Sequence, residues 1–204
     1  MLGLPSATEV KKIIPKRALY SKFQLNTAEQ KELDAAIRQL TIVNEISLRT
    51  IPALQKKAED KAIFVLAVQL KQEGCAEKIL YKLSRLIDQR LLLALCYADK
   101  LQLALLFDNK IFLNEFKPTA EQRVTLLGTS LNDIWEHLAL QVAQLTPRAG
   151  LTPVSVIANA GRRAEIEAQV AALTKKMFAE KQARKKLTLR EAINKLKKEL
   201  EDLP

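Results

Sequence analysis

The stretch "IFVLAVQLK", residues 63–71, decides the fold of this chain of 204 amino acids. Its side chains are apolar on both alternating faces until the final glutamine and lysine, which is typical of a strand covered on both sides. The run is too short to cross a bilayer. It therefore predicts a buried central strand of a sheet.

The sequence on the C-terminal side of this strand predicts a helix and three more strands. A helix is expected at 76–88, because its leucines and isoleucines fall on one stripe. The run "RLLLALCYA" at 90–98 is the next strand. The pairs Asp-Lys at 99–100 and Asp-Asn at 108–109 predict tight turns into "LQLALLF" and "KIFLNEF", since Asp and Asn tolerate positive φ.

The N-terminal side predicts one helix and one further strand. Residues 1–26 are expected to be extended or irregular, because Pro5 and Pro15 interrupt them. Thr27 followed by Gln30 predicts a capping box that opens a helix, and "NEISLRTIP" then alternates like a half-buried strand. The expected apolar face of the helix is Leu33, Ala36, Ile37 and Leu40.

These elements predict an α+β fold with a small mixed or antiparallel sheet and packed helices. The order is strand, strand, helix and three-strand meander, and "TSLNDIWEHLALQVAQL" adds a later helix. We expect the sheet domain at 1–145, a linker rich in Pro and Gly at 146–162, and a basic helical appendage at 163–204.

The appendage carries two apolar heptad runs, which predict a C-terminal α-helical hairpin or coiled coil. Thr188 followed by Glu191 predicts a capping box, so the second helix is expected to begin near residue 189. The expected arrangement is an antiparallel hairpin with "RKK" in its turn, and one long bent helix is the alternative. The predicted seam consists of Ile166, Val170, Leu173, Met177, Leu189, Ile193, Leu196 and Leu200.

The formal net charge of +10 is confined to the two ends of the chain. Residues 1–25 carry +4 and residues 146–204 carry +6, whereas the 120 residues between them are neutral. Charge segregated in this way suits an anionic partner such as nucleic acid, and lysine-rich surface helices are the alternative. The candidate binding residues are Lys11, Lys12, Lys16, Arg17, Lys181, Arg184, Lys185, Lys186 and Arg190.

Contacts of these cations to phosphate would be independent of base sequence. Phe178 is the only aromatic residue in the last 60, so base stacking is not expected.

Cys75 and Cys96 form no CxxC motif, and the first residues lack the apolar core of a secretory signal. A cytoplasmic protein with no membrane partner is the simplest expectation.

Most catalytic templates are missing from the sequence. It has no phosphate-binding GxxxxGK[ST] or GxGxxG motif and no Cys/His cluster with zinc spacing, so no cofactor or metal is expected. His137, the only histidine, follows Asp133 by four residues. An exposed ion pair between the two side chains on one helix explains this spacing without a catalytic role.

One constellation favours a nuclease. Metal-dependent nucleases combine an Asp with an acid-x-Lys pair at a strand end, where the carboxylates hold a divalent ion. Here Asp60 precedes the central strand, and Gln69 and Lys71 share a face at its end. The Gln69 side chain offers an oxygen ligand but no negative charge, and hard cations prefer a carboxylate.

The whole pattern resembles an uncharacterised bacterial family, domain-of-unknown-function family 4391. The resemblance runs in order through "MLGLPSATEVKKIIPK", "FVLAVQLK", "LLLALCYADKLQLAL", "LLGTSLNDIWEHLALQV" and "KKMFAEKQARKKLTLREAINKLKKELEDL". It implies no established activity and no established site residues. It implies an acid in many members at the position of Gln69, and genes near helicases and DNA methyltransferases of restriction or phage-defence type.

Charge and resemblance together favour a non-catalytic accessory subunit of a bacterial DNA-processing or phage-defence system. Its basic ends are expected to bind a helicase or DNA methyltransferase partner, DNA phosphate, or both. The alternative is a divergent or inactivated metal-dependent nuclease of the restriction-endonuclease-like type.

Overall fold

The computed structural model describes residues 2–57 and 60–203. Within these residues the chain forms seven strands and six α-helices. It divides into two compact units, Met1–Thr146 and Pro147–Pro204, here called the sheet unit and the hairpin unit.

The sheet unit contains a mixed sheet and four helices. Its elements are β1 (Glu9–Ile14), α1 (Lys16–Phe23), α2 (Thr27–Ala36), β2 (Ile37–Ile46), β3 (Ile63–Leu70), α3 (Glu77–Ser84), β4 (Arg90–Tyr97), β5 (Lys100–Phe107), β6 (Lys110–Leu113), β7 (Lys117–Pro118) and α4 (Leu131–Val142). The strand order is β1-β2-β3-β4-β5-β6, and β7 pairs with β5. The predicted α+β class and the order of strand, strand, helix and meander are confirmed.

The central position of β3 is confirmed. It pairs antiparallel with β2 and parallel with β4, and α3 provides the crossover that a parallel pair requires. Leu66, Val68 and Leu70 point to one face, where they join a core built with α1, α2 and α3. Val65, also buried, points to the other face by alternation, and α4 packs on the sheet through β5 and β6.

Residues 1–26, which were expected to be extended or irregular, contain an extended strand but also a helix, and the helix contradicts the expectation. Glu9–Ile14 is an edge strand paired with β2, and Lys16–Phe23 is a helix. Pro15 separates them as the N-cap of α1 with a φ of −68°. A proline therefore divides two regular elements here, because its fixed φ suits the extended residue that precedes a helix.

Helix α2 and strand β2 meet earlier than predicted. The capping box is formed by Asn26 and Glu29, one residue before the predicted pair. The helix ends at Ala36, so Ile37 and Leu40 belong to β2. The β-branched residues that follow Leu40 favour the strand over continuation of the helical stripe.

The two meander turns differ in how well they match the prediction. Asp108 and Asn109 have φ values of 46° and 61°, which confirms the predicted tight turn with two left-handed residues. The other turn lies one residue earlier than predicted, because Tyr97 pairs with Lys100 and leaves Ala98, at a φ of 49°, in the loop.

The hairpin unit consists of α5 (Pro153–Ala179) and α6 (Ala183–Asp202). Arg162 in the first half of α5 pairs with Glu199 near the end of α6, so the helices are antiparallel and the predicted hairpin is confirmed over the single bent helix. The predicted linker 146–162 is too long, because Thr152 caps α5 and Pro153 occupies its first turn.

The predicted start of the second helix near residue 189 is wrong. The turn is at 180–182 and α6 begins at Ala183, so "RKK" lies in the first helical turn. Thr188 does not cap a helix, since its hydroxyl donates a hydrogen bond of 3.2 Å to the carbonyl of Arg184 within α6. A Thr-x-x-Glu pattern is equally compatible with a helix interior.

Candidate functional site

The three residues of the predicted nuclease site do not meet. Asp60 lies before β3 and Lys71 lies after it, and the strand between them spans more than about 20 Å. The Asp60 carboxylate accepts a hydrogen bond of 2.7 Å from the backbone N–H of Lys57. Gln69 and Lys71 are both exposed at the opposite end. Asp60 therefore does not form one site with Gln69 and Lys71.

Asp60 lies near Arg90, at the start of β4. Burial lowers the pKa of Arg90, and the nearby Asp60 charge opposes that shift. The Arg90 guanidinium donates a hydrogen bond of 3.1 Å to the carbonyl of Leu131 and lies 5.8 Å from the centre of the Trp135 ring. Arg90 therefore links the start of β4 to α4.

The end of β3 that carries Lys71 instead holds a polar cluster that the sequence did not predict. Asp34 Oδ1 accepts hydrogen bonds of 2.7 Å from Lys16 Nζ and from the Tyr20 hydroxyl. Lys16 also donates to the carbonyl of Ile37 at 2.6 Å. The cluster thus ties α1 to the junction of α2 and β2.

The charges of this cluster compensate one another. Hydrogen bonds from Lys16 and then from Tyr20 hold the pKa of Asp34 below its usual value, and the charge of Lys71 acts in the same direction. Burial and the hydrogen bond to Asp34 raise the pKa of Tyr20 to about 12. Lys16 was a predicted phosphate ligand, but its ammonium is already engaged by Asp34.

His137, the single histidine, does not form the predicted ion pair with the Asp133 side chain. A ring nitrogen of His137 lies 2.8 Å from the backbone oxygen of Asp133, and not against its carboxylate. The Asp133 carboxylate instead accepts hydrogen bonds from Lys57, Ser130 and Thr129. Burial alone would raise the pKa of Asp133, but these bonds together hold it well below its usual value.

The N-terminal cations lie on or beside an edge strand. Lys11 and Lys12 are exposed on β1, and Arg17 is exposed on α1. Lysines on an edge strand discourage pairing with the strand of another molecule, which accounts for Lys11 and Lys12 without a ligand.

The predicted seam residues lie between the two helices of the hairpin. Ile166 and Ile193 are buried, and the other members are half-buried along α5 and α6. The seam that was expected to need apolar cover therefore receives it within the same chain.

The net charge of the hairpin unit is concentrated where its helices join. Residues 175–190, here called the basic tip, contain seven lysines and arginines and one glutamate, a net charge of +6. The rest of the unit is neutral in sum. Within the described residues, none of these cations forms an ion pair, and all are exposed: Lys175, Lys176, Lys181, Arg184, Lys185, Lys186 and Arg190.

The single acid of the basic tip is used to shape the turn. Glu180 accepts hydrogen bonds from the backbone N–H groups of Gln182, at 2.9 Å, and Lys181, at 2.8 Å. These bonds, that of Gln182 first, hold the pKa of Glu180 below its usual value. The carboxylate thereby stabilises the turn that precedes α6.

Two grooves run between the helices at the basic tip. The cationic groove, of about 790 Å³, is lined by Lys176, Ala179, Glu180, Lys181, Gln182, Lys185, Thr188 and Leu189. The aromatic groove, of about 480 Å³, is lined by Met177, Phe178, Ala183, Lys186, Leu187 and Arg190. One sequence segment thus offers two surfaces of different character.

Two further findings concern metals and membranes. Among residues 2–57 and 60–203, no group of three or more His, Cys, Asp and Glu side chains could hold a metal ion. In the same residues, no helix has both the length and the apolar character needed to cross a bilayer.

The fold and the tip define a class: an α+β protein with a mixed sheet and an appended helical hairpin that ends in a cationic surface. The chain belongs to the family described as "Domain of unknown function (DUF4391)", whose model matches residues 2–200. The resemblance in sequence is confirmed by this match. No curated protein and no solved structure matches the chain.

Proposed function

We propose that the protein binds the phosphate backbone of DNA through the basic tip of its hairpin, without sequence preference. The observation that carries the proposal is the charge of +6 within residues 175–190, beside a hairpin base that is neutral in sum. Seven cations crowded around a single carboxylate repel one another, and a polyanion relieves that repulsion while its counterions are released.

The geometry of the tip supports contact with a backbone. Lys176, Lys181 and Lys185 line one groove, and Lys186 and Arg190 line the other. The seam is filled by the hairpin's own helices, and the lysines and arginines of the tip are exposed to solvent. Of the predicted N-terminal ligands, Lys16 is engaged by Asp34 and contributes least.

We further propose that the protein acts in the cytoplasm as a non-catalytic accessory subunit of a bacterial DNA-processing or phage-defence assembly. The sequence resemblance implies genes near helicases and DNA methyltransferases, so one of these enzymes is the protein partner that we propose. Co-purification of the tagged chain with the neighbouring gene products tests this part. A chain that binds neither these proteins nor DNA contradicts it. The nuclease alternative lacks its predicted site, since Asp60 is remote from Gln69 and Lys71.

A matched pair of variants tests DNA binding. In the tip variant, Arg184, Lys185 and Lys186 are each replaced by Gln. In the control, Lys195, Lys197 and Lys198 of the same helix are replaced by Gln, which removes the same charge from exposed positions outside the tip. By fluorescence anisotropy at low salt, the tip variant is expected to bind duplex DNA roughly tenfold or more weakly. Equal losses in both variants would show a response to net charge alone.

A further inference from the structure

The aromatic groove exposes two large apolar side chains. Phe178 is 76% exposed and Leu187 is 58% exposed, on opposite helices at the tip. The seam explains neither of them, because Met177 and Leu189 occupy the seam positions at this level and are half-buried. An exposed phenyl ring among cations therefore has no role in the packing of the hairpin.

The surroundings of Phe178 favour an anionic occupant. Lys186 and Arg190 line the same groove, and the whole tip carries +6. A second copy of the chain would bring another +6 against it. An amphipathic partner helix needs a longer row of apolar anchors than this groove of about 480 Å³ provides.

We infer that Phe178 stacks on an unpaired nucleobase while Lys186 and Arg190 contact the flanking phosphates, so the tip prefers single-stranded DNA. The inference rests on the proposed binding of DNA phosphate and names the form of DNA that the site favours. In a duplex the faces of the bases are occupied by their neighbours, and only unpaired bases present a free face to an aromatic ring. The presence of a single aromatic residue among the last 60 argued against stacking, but the exposure of Phe178 beside two cations favours it.

The test compares wild type and three variants on three DNA probes of equal length, and on phosphatidylserine vesicles. The probes are fluorescein-labelled oligothymidylate, the same strand with abasic sites in place of its bases, and duplex DNA. The variants are Phe178→Ala, Phe178→Trp and Val154→Ala. Val154 is an exposed apolar residue at the opposite end of α5, so its variant is the matched control.

Phe178→Ala is expected to weaken binding to oligothymidylate at least about fivefold, the lower end of the effect of losing one stacked base. Binding to the abasic strand and to the duplex should stay at the wild-type level, because both retain the phosphates. Phe178→Trp is expected to restore the affinity, and Val154→Ala to leave it unchanged.

Three results would overturn the inference, and they can be told apart. Equal affinity of wild type and Phe178→Ala for oligothymidylate removes the stacking role but leaves phosphate binding intact. Failure of wild type to bind any of the probes overturns the proposed function as well. Phe178-dependent binding to phosphatidylserine vesicles without DNA binding would assign the ring to a lipid surface.

Discussion

The sheet unit and the basic tip treat charge and apolar surface in opposite ways. In the sheet unit, lysines pair with carboxylates from other elements: Lys16 with Asp34, Lys57 with Asp133 and Lys82 with Glu29. At the tip, seven cations within the described residues have no ion pair, and a phenyl ring faces solvent. The first region uses its side chains to hold elements together, and the second displays them.

Paired and unpaired cations therefore affect different properties of the protein. A paired lysine that joins two elements contributes to the stability of the fold, although an exposed pair contributes little. Cations crowded without partners oppose compaction and gain from an added anion. Substitutions in the sheet unit should therefore change stability, whereas substitutions at the tip should change binding.

The largest contrast is expected between two leucines. Leu93 of β4 is fully buried, so Leu93→Ala should lower the free energy of unfolding by about 2–5 kcal/mol. Leu187→Ala at the tip should change it by no more than about 0.5 kcal/mol, because its side chain is largely in water. Urea unfolding followed by circular dichroism measures both. Similar losses of unfolding free energy in the two variants would show that Leu187 is packed, and would contradict the difference between the sheet unit and the basic tip.

A smaller effect is expected at the Asp34 cluster, with a defined dependence on pH. Asp34→Asn should cost up to about 1 kcal/mol at neutral pH, since the carboxylate is partly exposed. The folded pKa of Asp34 lies below its unfolded value, so its stabilisation is present above about pH 4 and is lost as the pH falls through the folded pKa. The stabilities of variant and wild type should therefore converge in acid.

Asp88 provides the control for this measurement. It also pairs with a lysine, Lys61, at 2.7 Å, but its side chain is 93% exposed. Asp88→Asn should leave the unfolding curve unchanged, because solvent screens the pair. A difference between wild type and Asp34→Asn that persists unchanged into acid would show that Asp34 acts through packing and not through its charge.

The two regions also differ in how far the sequence predicts them. The buried runs at β3 and β4 are continuous and apolar, so their central place follows from hydropathy alone. β1 was missed because an edge strand has one neighbour and tolerates lysine and a bordering proline. The Asp34 cluster joins two helices through side chains, and nothing in local spacing marks such a contact.

The tip was predicted in charge but not in shape. Its lysines and arginines are evident in the sequence, whereas the turn at 180–182 was misplaced by the pattern at Thr188 and Glu191. The exposure of Phe178 depends on which residues fill the seam beside it, and heptad spacing does not distinguish Phe178 from a further packed residue. Only the folded hairpin shows the ring next to Lys186 and Arg190.

The salt dependence of duplex DNA binding is the most direct test of whether the basic tip binds DNA phosphate. Each phosphate contact contributes about 0.9 to the slope of log affinity against log salt concentration, so loss of Arg184, Lys185 and Lys186 should reduce the slope by about 2–3. The control lacking Lys195, Lys197 and Lys198 should keep the wild-type slope. A tip variant whose slope equals that of wild type would contradict binding of DNA phosphate by the basic tip.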